Sequence, residues 1–160
     1  MSTQLTHTMT YDAPLAAVSA MLDDPAYRHE VIVAQGCTDG SFTIETAGDV
    51  TTAVVDQVRP AAGLPSYATR LVGSEINIVQ REEWTSAEYA DLHVSIPGKP
   101  GQMVGSNTLV EDGTTTTETL EVAISVSIPL VGGKVEKLIA DMLRKALREE
   151  ERVAHAYLSR

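Results

Sequence analysis

Apolar positions recur at two different spacings along this chain, and the switches between them mark out its elements. A short first strand is predicted at Gln4–Thr10. Asp12 is placed to cap a helix with Pro14 in its first turn, where a missing N–H does no harm. Leu15, Val18, Met21 and Leu22 follow at helical spacing. That helix should stop at Asp24-Pro25, because a residue before proline avoids the α region. Asp24 then caps a second short helix, with Tyr27 and Val31 on its buried side and its end near Gln35-Gly36.

From there the period becomes that of strands. SFTIET and VTTAVVDQV flank a turn at Ala47-Gly48-Asp49. The segment RPAAGLPSYATRLVG reads as a long loop, and INIVQREEWT, YADLHVSIP and MVGSNTLVE as further strands. After Asp112-Gly113 a long strand is expected from Thr114 to Ile128, with Leu120, Val122, Ile124, Val126 and Ile128 on one face. Pro129 ends pairing, and Gly132-Gly133 is read as the place where the chain turns. A helix from about Gly133 to Leu158 follows, with an apolar stripe of Val135, Leu138, Ile139, Met142, Ala146 and Leu147, extended by Val153 and Tyr157. Arg148–Arg152, REEER, reads as its solvated face.

Short turns between consecutive strands imply an antiparallel sheet, and its one apolar face needs a cover. The long helix is placed to fold back across it. The predicted fold is therefore α+β: a curved seven-stranded antiparallel sheet around a long C-terminal helix, with two short helices after the first strand. A curled sheet gripping a helix can leave a space between them.

Composition narrows the partners. The 160 residues fit one domain, 1–160, with one core, and 43% hydrophobic content suits a globular protein. A net charge of −10 opposes binding to nucleic acid or to an anionic membrane surface. No apolar run is long enough for a membrane span, and the N-terminus lacks the form of a secretory signal, so a cytoplasmic location is expected. Cys37 is the only cysteine, and no histidine pair has ligand spacing, so neither a metal nor another cofactor is expected.

The order strand, two short helices, six strands, long helix resembles the START-like (SRPBCC) superfamily with its helix-grip fold. SIPLVGGKVEKLIADML looks like that superfamily's strand-to-helix junction, with QREEWT as its companion on a middle strand. The resemblance is closest to an actinobacterial branch of unknown function and covers essentially the whole chain. It implies a deep, largely apolar cavity under the C-terminal helix. The superfamily's activities range from lipid and hormone carriage to polyketide cyclisation and ring hydroxylation, so the fold alone does not select one.

Candidate chemistry centres on one strand. Ile76, Ile78, Gln80, Glu82 and Trp84 share a face. If that face is inward throughout, a carboxylate and an amide lie beside an indole in the cavity, and a desolvated Glu82 with a raised pKa could act as a general acid or base. If the strand leaves the core near Gln80, Glu82 sits on the rim. Glu83 points the other way, so the two are no catalytic pair. Tyr27 and Arg28 are expected at the mouth. Tyr67 and Arg70 lie in the long loop; members of the cyclase branch use an arginine and tyrosines to orient a polyketide, but no motif ties Arg70 to theirs. It either caps a lid and binds a carboxylate or is a solvated charge. Leu138 and Met142 would line the helix side. The leading functional expectation is binding of a small hydrophobic molecule such as a lipid, isoprenoid or polyketide. The alternatives are a cyclase or dehydratase using Glu82, and an interaction module with a filled core.

Overall fold

The computed structural model describes residues 2–160. Its strands are β1 (Thr3–Tyr11), β2 (Asp39–Ala47), β3 (Val50–Pro60), β4 (Glu75–Ser86), β5 (Tyr89–Ser95), β6 (Gln102–Asp112) and β7 (Thr115–Ser125). Its helices are α1 (Leu15–Asp23), α2 (Pro25–Ala34), α3 (Ser66–Val72) and α4 (Gly132–Leu158). All seven strands form one sheet in the order β1-β7-β6-β5-β4-β3-β2, every neighbouring pair antiparallel. From β2 to β7 every neighbour in sequence is a neighbour in space. β1 and β2 are the exception: they form opposite edges, and α1 and α2 carry the chain between them. This is the α+β helix-grip architecture.

The inner face is written in the register. Leu5, Met9 and Tyr11 of β1, Leu120, Val122 and Ile124 of β7, and Leu92 and Val94 of β5 are all buried. α4, at 27 residues about 40 Å long, lies over this face, and its Val135, Ala140, Leu147, Val153 and Ala154 are buried. Asp24 caps α2 as expected, its carboxylate accepting from the Ala26 N–H at 2.9 Å with Pro25 at the first helical position.

Four local expectations are corrected. Asp12 does not cap α1; Glu111 of β6 does this from across the fold, its carboxylate accepting from the Leu15 N–H at 2.6 Å. The long loop contains α3, entered from Pro65 and ended by Gly73 at φ 78°. β7 stops at Ser125 rather than Ile128, because Val126 gives its N–H to the Glu136 carboxylate of α4 at 3.0 Å instead of to a strand. Thr3 donates to the other oxygen of Glu136 at 2.9 Å, so one side chain ties β1 and the end of β7 to the first turns of α4. The change of direction falls on Leu130, whose φ is 72°, and not on the glycines. Gly132 is needed for closeness: a Cβ there would lie 2.5 Å from the Val126 carbonyl oxygen.

Candidate functional site: a cavity under the C-terminal helix

A cavity of about 130 Å³ lies between the sheet and α4. Leu138, Ile139, Met142 and Leu143 form its helix wall; Val55, Ile76, Ile78, Val94 and Met103 form its sheet wall. Leu64, Ala68, Leu71 and Val72 close one side from α3 and the segment before it, and Val31 and Ile32 close another from α2. The polar groups in the wall are few: Arg28, Gln35, Gln57, Arg59, Gln80 and Glu150. A space of roughly 150 Å³ accommodates a benzene-sized ring, so the cavity as it stands fits a single ring or the end of an aliphatic chain.

Of the residues singled out as candidate chemistry, Arg28, Ile76, Ile78, Gln80, Leu138 and Met142 line this cavity. Tyr27 is fully buried in the core beneath α4, edge-on to Tyr157 with ring centroids 5.5 Å apart, and is not at a mouth. Trp84 is buried at the far end of β4, against the core. Tyr67 lies on α3 with the Lys134 ammonium 4.2 Å from its ring centre, and Arg70, in the last turn of the same helix, is exposed. Neither is in the cavity wall, because α3 turns its Ala68 and Leu71 face inward.

Glu82 faces inward, so β4 does not leave the core at Gln80, but its chemistry differs from that expected of a lone buried acid. Arg28 Nη1 donates to Glu82 Oε2 at 2.8 Å, and Nη2 to Oε1 at 2.9 Å. Gln80 Nε2 donates to Oε2 at 2.7 Å, and Trp84 Nε1 to Oε1 at 2.9 Å. Arg28, expected at the mouth, is 4% exposed and Glu82 2%. Arg28 also gives its Nε–H to the Leu22 carbonyl at 2.7 Å and stacks over Phe42 at 4.9 Å. Burial pushes the Glu82 carboxyl up, but the Arg28 charge and the hydrogen bonds from Arg28, Trp84 and Gln80 outweigh it and hold the group below the usual carboxylate range. Glu82 is therefore a bound carboxylate. The raised pKa expected of it is found elsewhere.

Two acids that the sequence reading did not single out occupy the interior near this pair. Glu118 continues the inward row of β7 below Leu120 and is 2% exposed. It accepts from Tyr11 Oη at 3.0 Å and from Asn107 Nδ2 at 2.6 Å. Burial pushes its carboxyl up, the two hydrogen bonds pull it down, and the net shift is upward. Glu150 lies in the REEER segment, but it is half-buried and lines the cavity, not the solvated face. Burial and then the Glu118 carboxyl push its pKa up to about 8, against the pull of Arg28. Its spacing carries the signal: 150 is three and four residues from Ala146, Leu147, Val153 and Ala154, on the apolar stripe of α4.

Other features bear on what the chain can hold. Among the described residues no group of three histidine, cysteine, aspartate or glutamate side chains is arranged to hold a metal ion. No helix among them is long and apolar enough to cross a membrane.

Comparison with known proteins agrees with this geometry. The fold is that of the START-like (SRPBCC) superfamily. Its neighbours include an aromatase/cyclase from Streptomyces sp. R1128, at TM-score 0.58 and 16% identity over 99% of this chain and 92% of the other. Norcoclaurine synthase from Thalictrum flavum, solved with dopamine and hydroxybenzaldehyde, matches at TM-score 0.63 and 11% identity over 96% and 87%. At these identities the likeness is one of fold. Residues 6–158 match the family described as "Protein of unknown function (DUF2505)", and the chain belongs to it. An uncharacterised protein of Mycobacterium tuberculosis is 26% identical over 118 residues, 70% of this chain and 67% of its own length.

Proposed function

We propose that this protein binds a small hydrophobic molecule, of lipid, isoprenoid or polyketide type, in the cavity between the sheet and α4. The observation that supports this most directly is the wall itself: aliphatic side chains from α2, α3, α4 and four strands enclose unfilled space beside a handful of polar groups, the usual composition of a ligand pocket. Norcoclaurine synthase holds dopamine and hydroxybenzaldehyde within a similar fold, and another neighbour is an aromatase/cyclase. Since about 130 Å³ takes only a small ring, a larger ligand requires α3 to move outward from α4. α3 is one short helix flanked by Pro65 and Gly73, an element suited to such movement. On this reading the chain acts as one cytoplasmic domain, holding its ligand without metal or cofactor. Binding is favoured over catalysis by Glu82, because the groups around that carboxylate hold it ionised and occupied.

Native mass spectrometry on gently purified protein, with thermal unfolding in the presence of apolar compounds, tests the reading. A ligand at a hundred times its Kd should stabilise the folded state by about 2.7 kcal/mol. Met142→Trp, which fills the cavity from the helix side, should remove that shift. If the mass is clean and no apolar compound stabilises the wild type, an interaction module without ligand replaces this reading.

A further inference from the structure

Glu82, Glu118 and Glu150 gather in the interior beneath α4 with the Arg28 guanidinium. Glu82 takes both terminal nitrogens of Arg28. Glu118 has donors on both oxygens, from Tyr11 and Asn107. Glu150 has neither: among the described residues no donor bonds it, and only burial and the charges of Glu118, Arg28 and Glu82 act on it. It is nevertheless part of the cavity wall, among Leu143, Ala146 and Leu147. Beside it is a second polar group without a partner. The Tyr27 hydroxyl is fully buried with no hydrogen bond, and among charged groups Glu150 acts on it most strongly.

A carboxyl in this position has no cation of its own to pair with. The groups facing it are Glu118 of β7, whose own carboxyl is shifted upward, Glu82 of β4, held ionised by Arg28, Tyr11 of β1 and Tyr27 of α2, and Arg28, already committed. Burial, and then the neighbouring Glu118 and Glu82 carboxyls, favour its neutral form, with a pKa of about 8. A neutral carboxyl carries an O–H, and this one stands in the wall of unfilled space, where an oxygen of a bound molecule could receive it.

We propose that Glu150 selects the ligand: its neutral carboxyl donates a hydrogen bond to a carbonyl or hydroxyl oxygen on an otherwise apolar molecule. This rests on the cavity being a ligand site. It defines the class as neutral, oxygen-bearing hydrophobic compounds, because a carboxylate end placed at Glu150 would bring a further negative charge beside Glu82.

The test uses six-carbon rings, small enough for the cavity as it stands: cyclohexanone, methylcyclohexane, cyclohexylamine and cyclohexanecarboxylate, titrated at pH 7 by calorimetry. The ratio of cyclohexanone to methylcyclohexane affinity should be about tenfold higher in wild type than in Glu150→Leu, the value of one well-placed hydrogen bond. Glu150→Leu should abolish the preference while keeping the hydrocarbon, and Glu150→Gln, whose amide still donates, should retain most of it. Cyclohexanone affinity should fall as pH rises through 8 in wild type and stay level in the Gln variant. Hydrocarbon binding with a ketone preference unchanged in Glu150→Leu overturns the proposal alone. Tightest binding of cyclohexylamine also overturns it, showing that the site waits for a cation. Failure of every ring to bind overturns both this proposal and the ligand cavity.

Discussion

Arg28→Met should be among the most damaging single changes to this fold, and the damage should depend on pH in a particular direction. Methionine keeps much of the length and apolar stem of arginine, so packing against Phe42 is largely retained. What is lost is the two-pronged contact to Glu82 at 2.8 and 2.9 Å and the donor to the Leu22 carbonyl. Glu82 then keeps only Gln80 and Trp84 as donors, at 2% exposure. A carboxylate stranded in this way costs about 3–5 kcal/mol, unless it takes up a proton. Protonating a carboxyl of ordinary pKa, about 4.3, costs about 4 kcal/mol at pH 7 but only about 1 kcal/mol at pH 5.

The sign follows from the shifts. In the wild type the Glu82 pKa is lowered on folding, so its contribution is full above the unfolded value and is lost as pH falls through the folded one. In Arg28→Met the unpaired, buried group has a raised pKa, so the variant loses stability as pH rises above about 4.3. The gap between the two proteins should therefore widen from about 1 kcal/mol at pH 5 to about 4 kcal/mol at pH 7. At about 2–4 °C per kcal/mol, the variant should melt roughly 8–16 °C lower at pH 7. Urea unfolding at both pH values measures this directly. Replacing both partners, Arg28→Met with Glu82→Leu, should recover most of the loss, because an apolar pair needs no counterion. A cost below about 1 kcal/mol at pH 7, or one equal at pH 5 and 7, would refute the ion-pair account.

Glu150→Gln should be more stable than wild type at pH 8.5, with the advantage shrinking toward pH 5. The raised pKa of Glu150, about 8, means that wild type loses stability as pH climbs from the unfolded value through that point, and urea midpoints across the range would show it. Gly105→Ala should destabilise the fold by at least about 3 kcal/mol, because a Cβ on β6 would lie 1.7 Å from the Glu121 carbonyl oxygen of β7. A fully folded variant with an unchanged melting temperature would contradict that register. Leu130→Gly should stabilise slightly. Its φ of 72° carries a left-handed penalty of about 1–2 kcal/mol, its side chain is fully exposed, and the added chain freedom takes back only about 0.5–1 kcal/mol.

The sheet and the long helix are legible in the sequence because their order is set by period. Alternation at Leu120, Val122 and Ile124, and three-and-four spacing at Val135, Leu138, Ile139 and Met142, each assign a face without reference to anything distant. The caps and corners depend on distant groups. Glu111 caps α1 from β6, and Glu136 takes the Val126 N–H away from β7, both by contacts that only the folded chain brings together. α3 had a local signal, Pro65 before it and Gly73 after it, but so short a helix between a proline and a glycine reads as loop.

The candidate site divides along the same line. The inward row of β4 brings Gln80 and Glu82 to the interior by alternation alone, whereas the role of Glu82 was fixed by Arg28, fifty-four residues earlier on another element. The acid left without a partner was on the stripe from the start. Its place among REEER made it look solvated, since five consecutive charges suggest a wet surface whatever their phase. Phase is the stronger guide here: a helix buries positions, not compositions, and a charged residue in an apolar stripe is either paired, neutral or waiting for a ligand. Glu150 has no pair, and that leaves the last two, which for a cavity-lining carboxyl are the same state seen with and without its ligand.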